Sequence, residues 1–165
     1  MLKHLLRFSM MGVLILAGCG GGGDDVNVDE FDVTGTSADL ENGRAPIDPA
    51  INDGNFELTW KVDDDDALGY TATFYLSVNS NLSRNNDIEF ASILCDNFLS
   101  CDNDKRNDED CYFTNDLEMY CGDEDSVVQY DVDEVVDSLP MDAYIIIEAC
   151  TLFDCDTETH PVQLL

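Results

Sequence analysis

Residues 56–62 read FELTWKV and residues 70–78 read YTATFYLSV. In both stretches apolar side chains alternate with polar ones, which is the two-residue period of a strand that buries one face. An acidic stretch ending in Gly69 separates them, and such a stretch favours a turn between two strands. The two segments therefore predict consecutive strands that run in opposite directions.

The rest of the chain continues this pattern. Further strands are predicted at residues 88–94, 127–132 and 144–152, and Pro161 to Leu165 is predicted to close a sheet at an edge, where the missing N–H of proline costs no hydrogen bond. Apart from one turn near residues 132–138, no stretch has a convincing helical period. Strands of this length and spacing predict an all-β fold, an antiparallel β-sandwich.

Three segments together resemble a known class of domain. Residues 58–60 (LTW), residues 70–78, and Leu139-Pro140 followed by Tyr144 are similar to the B, C and F strands of fibronectin type III and related immunoglobulin-like domains. The resemblance implies that Trp60 is a core residue and that Tyr144 caps a corner. The position of Trp60 on the apolar face of its strand also favours core packing over a sugar-stacking role.

The first nineteen residues predict the destination of the chain. Residues 1–7 carry two basic residues and no acid, residues 8–15 are mostly apolar, and residues 16–19 read LAGC. The apolar stretch is shorter than the roughly 20 residues that a transmembrane helix needs, so residues 1–18 are interpreted as a signal peptide. The LAGC motif resembles the lipobox of bacterial lipoproteins. This implies cleavage before Cys19, attachment of diacylglycerol to its thiol and acylation of its amino group by a fatty acid such as palmitate.

The lipobox also predicts where the mature protein is held. It implies a membrane-anchored lipoprotein of the bacterial cell envelope, and Gly20 after the cysteine favours the outer membrane under the enterobacterial sorting rule. Residues 19–55 are predicted to be a lipidated, Gly- and Asp-rich tether that is partly disordered, with a short strand at residues 26–33. The folded β-sandwich domain is assigned to residues 56–165.

Composition limits the partners of this domain. The chain has 165 residues, 36 Asp plus Glu against 7 Lys plus Arg, a formal net charge of -29 and 44% hydrophobic residues. This size and apolar content predict one globular domain with a core. Nucleic acid is disfavoured as a partner because its phosphates are bound by Lys and Arg, which are scarce here. Self-repulsion of this charge must be reduced by salt or by bound cations.

Six cysteines remain once Cys19 is lipidated. Export to an oxidising compartment predicts three disulfides, for which fifteen pairings exist. We favour pairing between near neighbours, with the third and fourth cysteines facing each other across a hairpin whose loop is residues 115–117. A zinc site is disfavoured because the chain has no CxxC motif. A cysteine-rich insertion is placed at residues 95–126, and the candidate disulfide residues are Cys95, Cys101, Cys111, Cys121, Cys150 and Cys155.

Acidic loops are expected to gather at one end of the sandwich. If consecutive strands alternate in direction, the loops after residues 62, 94 and 152 lie at the same end. Calcium binds 6 to 8 oxygen ligands, so these loops form a tentative calcium site, although no segment fits the EF-hand loop. The alternative is a set of solvated carboxylates without a metal. The predicted ligands are Asp63, Asp64, Asp65, Asp154 and Asp156.

No catalytic motif is present in the sequence. The only histidine of the mature chain is His160, and no Gly-x-Ser-x-Gly or phosphate-binding glycine loop occurs, so we expect no enzymatic activity and no cofactor beyond possible calcium. The predicted function is a binding or structural module whose acidic loops face a cationic or calcium-bridged partner, an envelope or extracellular protein or a polysaccharide. The alternative is a small carbohydrate-active enzyme or accessory carbohydrate-binding domain. Exposed aromatic side chains beside carboxylates in a cleft would favour that alternative.

Overall fold

The computed structural model describes residues 26–64, 69–95, 101, 105–122 and 128–165. The predicted signal peptide, Cys19 and the first residues of the predicted tether lie outside this part of the chain. The described residues form ten strands, one 3-10 turn (η1, Asn52–Gly54) and no α-helix, which confirms the all-β prediction. The strands are β1 Val26–Thr34, β2 Ala45–Ile47, β3 Asn55–Asp64, β4 Tyr70–Ser77, β5 Ile88–Cys95, β6 Arg106–Phe113, β7 Glu118–Cys121, β8 Tyr130–Asp131, β9 Met141–Cys150 and β10 Cys155–Leu164.

Two five-stranded sheets enclose the core. Their strand orders are β1-β3-β6-β7-β8 and β2-β10-β9-β4-β5, and every neighbouring pair is antiparallel except β2 with β10. Trp60 is 1% exposed, contacts Phe74 edge to face at 5.2 Å and donates its indole N–H to the Tyr70 hydroxyl at 3.1 Å. The prediction that Trp60 is a core residue is therefore confirmed.

The segments that carry the fibronectin-like resemblance occupy both sheets. β3 lies in one sheet, and β4 and β9 are neighbours in the other, which is the distribution of B, C and F strands in immunoglobulin-like sandwiches. The Tyr144 ring lies under the guanidinium of Arg44, 5.3 Å from its centroid. Membership of either family stays a prediction, and so does the corner role of Tyr144.

Part of the predicted tether is folded. β1 pairs with β3 along its length, and β2 pairs in parallel with the end of β10. The prediction that Pro161 to Leu165 forms a sheet edge is wrong, because β2 lies outside β10. Pro161 directly precedes the three residues that pair with β2. The sequence did not predict β2, because this strand has only three residues and follows the polar residues 34–44.

Three disulfides join near neighbours in sequence. They are Cys95–Cys101, Cys111–Cys121 and Cys150–Cys155, the pairs that sequence spacing favoured. Cys111 faces Cys121 across the β6–β7 hairpin, whose loop is residues 115–117. β6 also pairs with β3 along seven residues, so the cysteine-rich segment supplies an interior strand of the sheet.

One end of the sandwich gathers the start of the described chain and two turns. Val26 pairs with Asp64, and Thr71 pairs with Cys150, so β1 and β4 begin where β3 and β9 end. The Val28 amide donates to Asp156 Oδ2 at 2.9 Å, which joins the two sheets here. We call this the entry end of the domain, because the described part of the chain begins here, at Val26.

Candidate binding surfaces

The turn between β9 and β10 projects from the entry end. It consists of residues 151–154 and is closed by the Cys150–Cys155 disulfide. The Thr151 hydroxyl accepts hydrogen bonds from the amides of Phe153 at 3.2 Å and Asp154 at 3.1 Å. The Thr151 amide donates to the Asp154 carbonyl at 2.9 Å. These bonds and the disulfide restrain the turn.

This turn carries two large apolar side chains that face solvent. Leu152 is 84% exposed and Phe153 is 72% exposed. Exposed apolar residues in contiguous patches mark contact surfaces, and full burial of a Leu or Phe side chain stabilises by about 1.5 to 3 kcal/mol. The two side chains also border a cleft of about 250 Å³ lined by Gly69, Tyr70, Thr71, Leu94, Cys150, Thr151, Leu152 and Phe153. We call residues 151–154 the apolar turn.

A second surface is an acidic cleft of about 730 Å³ beside β6. Its lining residues are Asp53, Asp108, Glu109, Asp110, Tyr112, Tyr120 and Gly122. Alternation along β6 exposes Asp108 and Asp110, and Asp53 approaches from the 3-10 turn before β3 with a positive φ of 56°. Aspartate is one of the few residues that adopts this conformation readily. We call this set of residues the acidic cleft.

Stacked aromatic rings border the carboxylates of the acidic cleft. Tyr112 and Tyr120 face each other across the β6–β7 hairpin with centroids 5.2 Å apart and planes 21° apart. Burial raises the pKa of Glu109, and the negative charges of Asp110 and Asp108 raise it further. A positive charge in the cleft would relieve this repulsion and would also meet the negative faces of the tyrosine rings.

The outer face of the second sheet carries an ion pair between the exposed side chain of Arg84 and the buried side chain of Glu148. The side chain of Glu148 is 8% exposed and accepts hydrogen bonds from Nε and Nη2 of Arg84, the first at 3.1 Å. The Tyr75 hydroxyl also donates to Glu148, at 3.4 Å. Burial raises the pKa of Tyr75, and the negative charge of Glu148 adds to this effect. These contacts hold the β4–β5 loop against the sheet.

The predicted calcium ligands fall partly outside the described residues. Asp65 and the side chain of Asp64 belong to the part that the structure does not describe. Asp63 and Asp154 are exposed, and one carboxylate oxygen of Asp156 already accepts the Val28 amide. The described members are not brought together as a compact ligand group, and the five-residue calcium site stays a prediction.

Among the described residues, one group of three metal-ligand types lies within 4.8 Å: Glu148, Cys150 and Cys155. Both sulfurs belong to the same disulfide, so neither is a thiolate that could bind a metal. Glu148 is occupied by Arg84 and Tyr75. This group therefore does not form a metal site.

His160 has a contact between the sheets. Its Nδ1 lies 3.2 Å from Asp32 Oδ1, which links β10 to β1, and its Nε2 is buried without a hydrogen-bond partner in the structure. This arrangement supports a structural role for His160 in the packing of β10 against β1. No helix within the described residues is long and apolar enough to cross a membrane.

Comparison with known proteins gives no family assignment. A scan against models of protein families finds no match to this chain, and a search of curated proteins finds none. The two surfaces therefore have to be interpreted from their own chemistry.

The sequence predicted that acidic loops face a partner, but it did not predict the apolar turn or the strand geometry of the acidic cleft. The apolar run at residues 144–152 predicts a strand that includes Leu152, although Leu-Phe between two cysteines five residues apart indicates a disulfide-closed turn. The local sequence predicts an acidic loop around Asp108 and Asp110, because residues 106–110 (RNDED) have weak strand propensity. Pairing with β3 makes them part of a strand, and this pairing is not visible in the local sequence.

Proposed function

We propose that the protein is a lipid-anchored lipoprotein of the bacterial envelope whose acidic β-sandwich binds a cationic partner. The lipobox supports the anchor, and the acidic cleft supports the binding role. The observation that carries the proposal is the position of Asp53, Asp108 and Asp110 around stacked tyrosine rings. Lysine or arginine side chains of a protein partner meet both charge and aromatic complementarity there.

Lipidation at Cys19 is tested by metabolic labelling. Cells that express the full chain are grown with labelled palmitate, and the purified protein is expected to carry the label. Cys19→Ser is expected to abolish it, whereas Gly21→Ser, a change two residues away, is expected to retain it. Label that persists in Cys19→Ser would show that the anchor is wrong.

The binding role is tested by charge removal at the cleft. Envelope proteins are captured with the wild type, with Asp108→Asn/Asp110→Asn and with Asp39→Asn/Glu41→Gln, a control that removes two exposed charges elsewhere. A partner is expected on the wild type and the control, and its recovery is expected to fall in the cleft variant and in high salt. Equal recovery on all three proteins would contradict the cleft as the binding site.

Calcium remains part of the proposal as a bridging ion at the entry end. Calorimetric titration of the purified protein is expected to give heat with calcium chloride, and Asp63→Asn/Asp154→Asn is expected to reduce it. Sodium chloride at matched ionic strength controls for general screening. Absence of both heat and thermal shift would end the calcium assignment.

A carbohydrate-binding role is the second candidate function, because aromatic rings and carboxylates share the acidic cleft. Sugars stack on aromatic faces and donate hydroxyl hydrogen bonds to carboxylates, so Tyr112 would be the platform. Oligosaccharides are titrated into the protein while amide chemical shifts are followed by NMR. Tyr112→Phe is expected to retain binding and Tyr112→Ala to lose it; no shift with any oligosaccharide would remove this candidate.

A further inference from the structure

We infer that the apolar turn docks into the surface of the membrane that holds the lipid anchor. The inference concerns Leu152 and Phe153, which do not line the acidic cleft. It rests on the proposed lipidation at Cys19, since the anchor brings this surface to the bilayer.

The position of the chain entry brings the turn to the membrane side. Val28 donates its amide to Asp156, directly after the disulfide that closes the turn, so β1 begins beside the base of the turn. Only seven residue steps separate Cys19 from Val26. Even fully extended, this length spans at most about 25 Å, so the entry end cannot move far from an anchored lipid.

Three of the four backbone amides of the turn have hydrogen-bond acceptors within it. The amides of Thr151, Phe153 and Asp154 and the carbonyl of Asp154 are all bonded within the turn. Backbone groups left unpaired are costly in an apolar medium. Leu152 and Phe153 can therefore enter the lipid interface without exposing these groups to it.

Charge favours lipid over a second copy of this chain as the occupant. The chain has a formal net charge of -29, so two copies that meet at their acidic ends repel each other. A zwitterionic lipid surface has no net charge and offers apolar contact to the turn. A charged side chain is costly inside the hydrocarbon of a bilayer, so Asp154 limits the insertion of the turn to the depth of the lipid headgroups. The anchor also raises the effective concentration of the turn at the membrane, so weak contact suffices.

The test places a tryptophan in the turn of the full lipidated chain. Phe153→Trp is reconstituted into phosphatidylcholine vesicles that carry bromine high on the acyl chains, a quencher confined to the lipid. Val78→Trp is the matched control, because Val78 is 52% exposed and follows the opposite end of β4. Trp60 is buried in the core and supplies a constant background that the wild type measures.

Docking predicts that brominated lipid quenches the tryptophan of Phe153→Trp and shifts its emission to shorter wavelength, with no change for Val78→Trp. Anionic phosphatidylglycerol in the vesicles is expected to reduce the quenching at low salt, and added salt to restore it. Equal quenching of both variants, or quenching of neither, would overturn docking. Dimerisation in lipid-free detergent that shifts the emission of Phe153→Trp to shorter wavelength would also overturn it, because a second copy would then cover the turn.

Intact mass measured on the same samples separates the two proposals. A protein without acyl mass contradicts the lipid anchor, and docking falls with it. A protein that carries acyl mass and stays unquenched at residue 153 leaves the anchor in place and refutes docking alone, so that the turn would then be a surface for a soluble protein partner.

Discussion

Gly54 is the residue whose backbone conformation matters most to the acidic cleft. Its φ is +74°, and a Cβ built on it would lie 1.9 Å from the Phe113 carbonyl oxygen. Glycine alone combines this conformation with so close an approach. The 3-10 turn that carries Asp53 therefore sits directly against the end of β6, and the cleft depends on that contact.

We predict that Gly54→Ala destabilises the fold far more than Gly43→Ala. Gly43 has the same φ of +74° but nothing within 4 Å of the position of a Cβ built on it. Gly43→Ala should therefore lower the free energy of unfolding only by the left-handed strain, about 1 to 2 kcal/mol. Gly54→Ala adds a clash with backbone and should cost at least about 3 kcal/mol. Urea unfolding of both variants measures this, and equal losses would show that the close approach is absent.

Glu109, in the acidic cleft, makes the stability of the fold depend on pH. Burial raises its pKa, so the folded state binds the proton more tightly than the unfolded state. Its stabilising contribution is present below its ordinary pKa of about 4.3 and is lost as pH rises through the raised value.

Glu109→Gln is therefore predicted to stabilise the fold at pH 7, by a few tenths of a kcal/mol because the carboxyl is partly solvated. The gain is expected to vanish near pH 3, where Glu109 is protonated in both states. Thermal unfolding from pH 3 to 7 measures the effect. Glu41→Gln removes an exposed charge and controls for general repulsion; an equal gain in that variant would contradict the prediction.

At the scale of elements, the two strands before residue 55 complete both sheets. β1 buries three valines, and β2 buries Ala45 and Ile47. Each large aliphatic side chain buried contributes about 1.5 to 3 kcal/mol, against a total stability of about 5 to 15 kcal/mol for a domain. β2 also covers the end of β10.

A chain that begins at Phe56 is therefore predicted not to fold, whereas one that begins at Val26 is predicted to fold cooperatively. Without β1 and β2, the edges of β3 and β10 and the apolar faces next to them are exposed to water. Circular dichroism and thermal unfolding of both chains give the measurement. A cooperative transition in the shorter chain would mean that residues 26–55 are dispensable, as the sequence-based domain boundary implied.

The strand predictions succeeded where alternation is strong and failed where pairing decides. β3, β4 and β9 have apolar positions two residues apart, and their existence was predicted. β6 has three acidic residues among its first five positions, Asp108, Glu109 and Asp110, and only pairing with β3 makes it a strand. Within the predicted strand at residues 127–132, the described residues 128–132 contain only the short strand β8, Tyr130–Asp131.

For the whole molecule, net charge is the dominant electrostatic quantity. A formal charge of -29 on 165 residues makes compaction costly at low ionic strength. Few ion pairs offset it among the described residues, and those found include Lys61 with Asp29 at 2.6 Å and Arg44 with Asp142 at 3.4 Å. Screening by salt should therefore stabilise the fold.

We predict that the melting temperature rises with sodium chloride, by on the order of 5 °C as the Debye length falls from about 10 Å at 0.1 M to about 3 Å at 1 M. Potassium chloride should have the same effect, because screening does not depend on the cation. Differential scanning calorimetry measures the shift. A flat or falling melting temperature would mean that repulsion does not limit stability.

The sequence by itself determined the all-β class and the burial of Trp60, because strand alternation is a local property of the chain. Short cysteine spacing favoured near-neighbour disulfides, and the structure decided among the fifteen pairings. Only the tertiary structure decided that β1 and β2 complete the sheets, that β6 carries its acids beside stacked tyrosines, and that Leu152 and Phe153 project where the chain enters. Those features depend on pairing between residues far apart in sequence, and a hydrogen-bond partner or an exposed face exists only after both strands are in place.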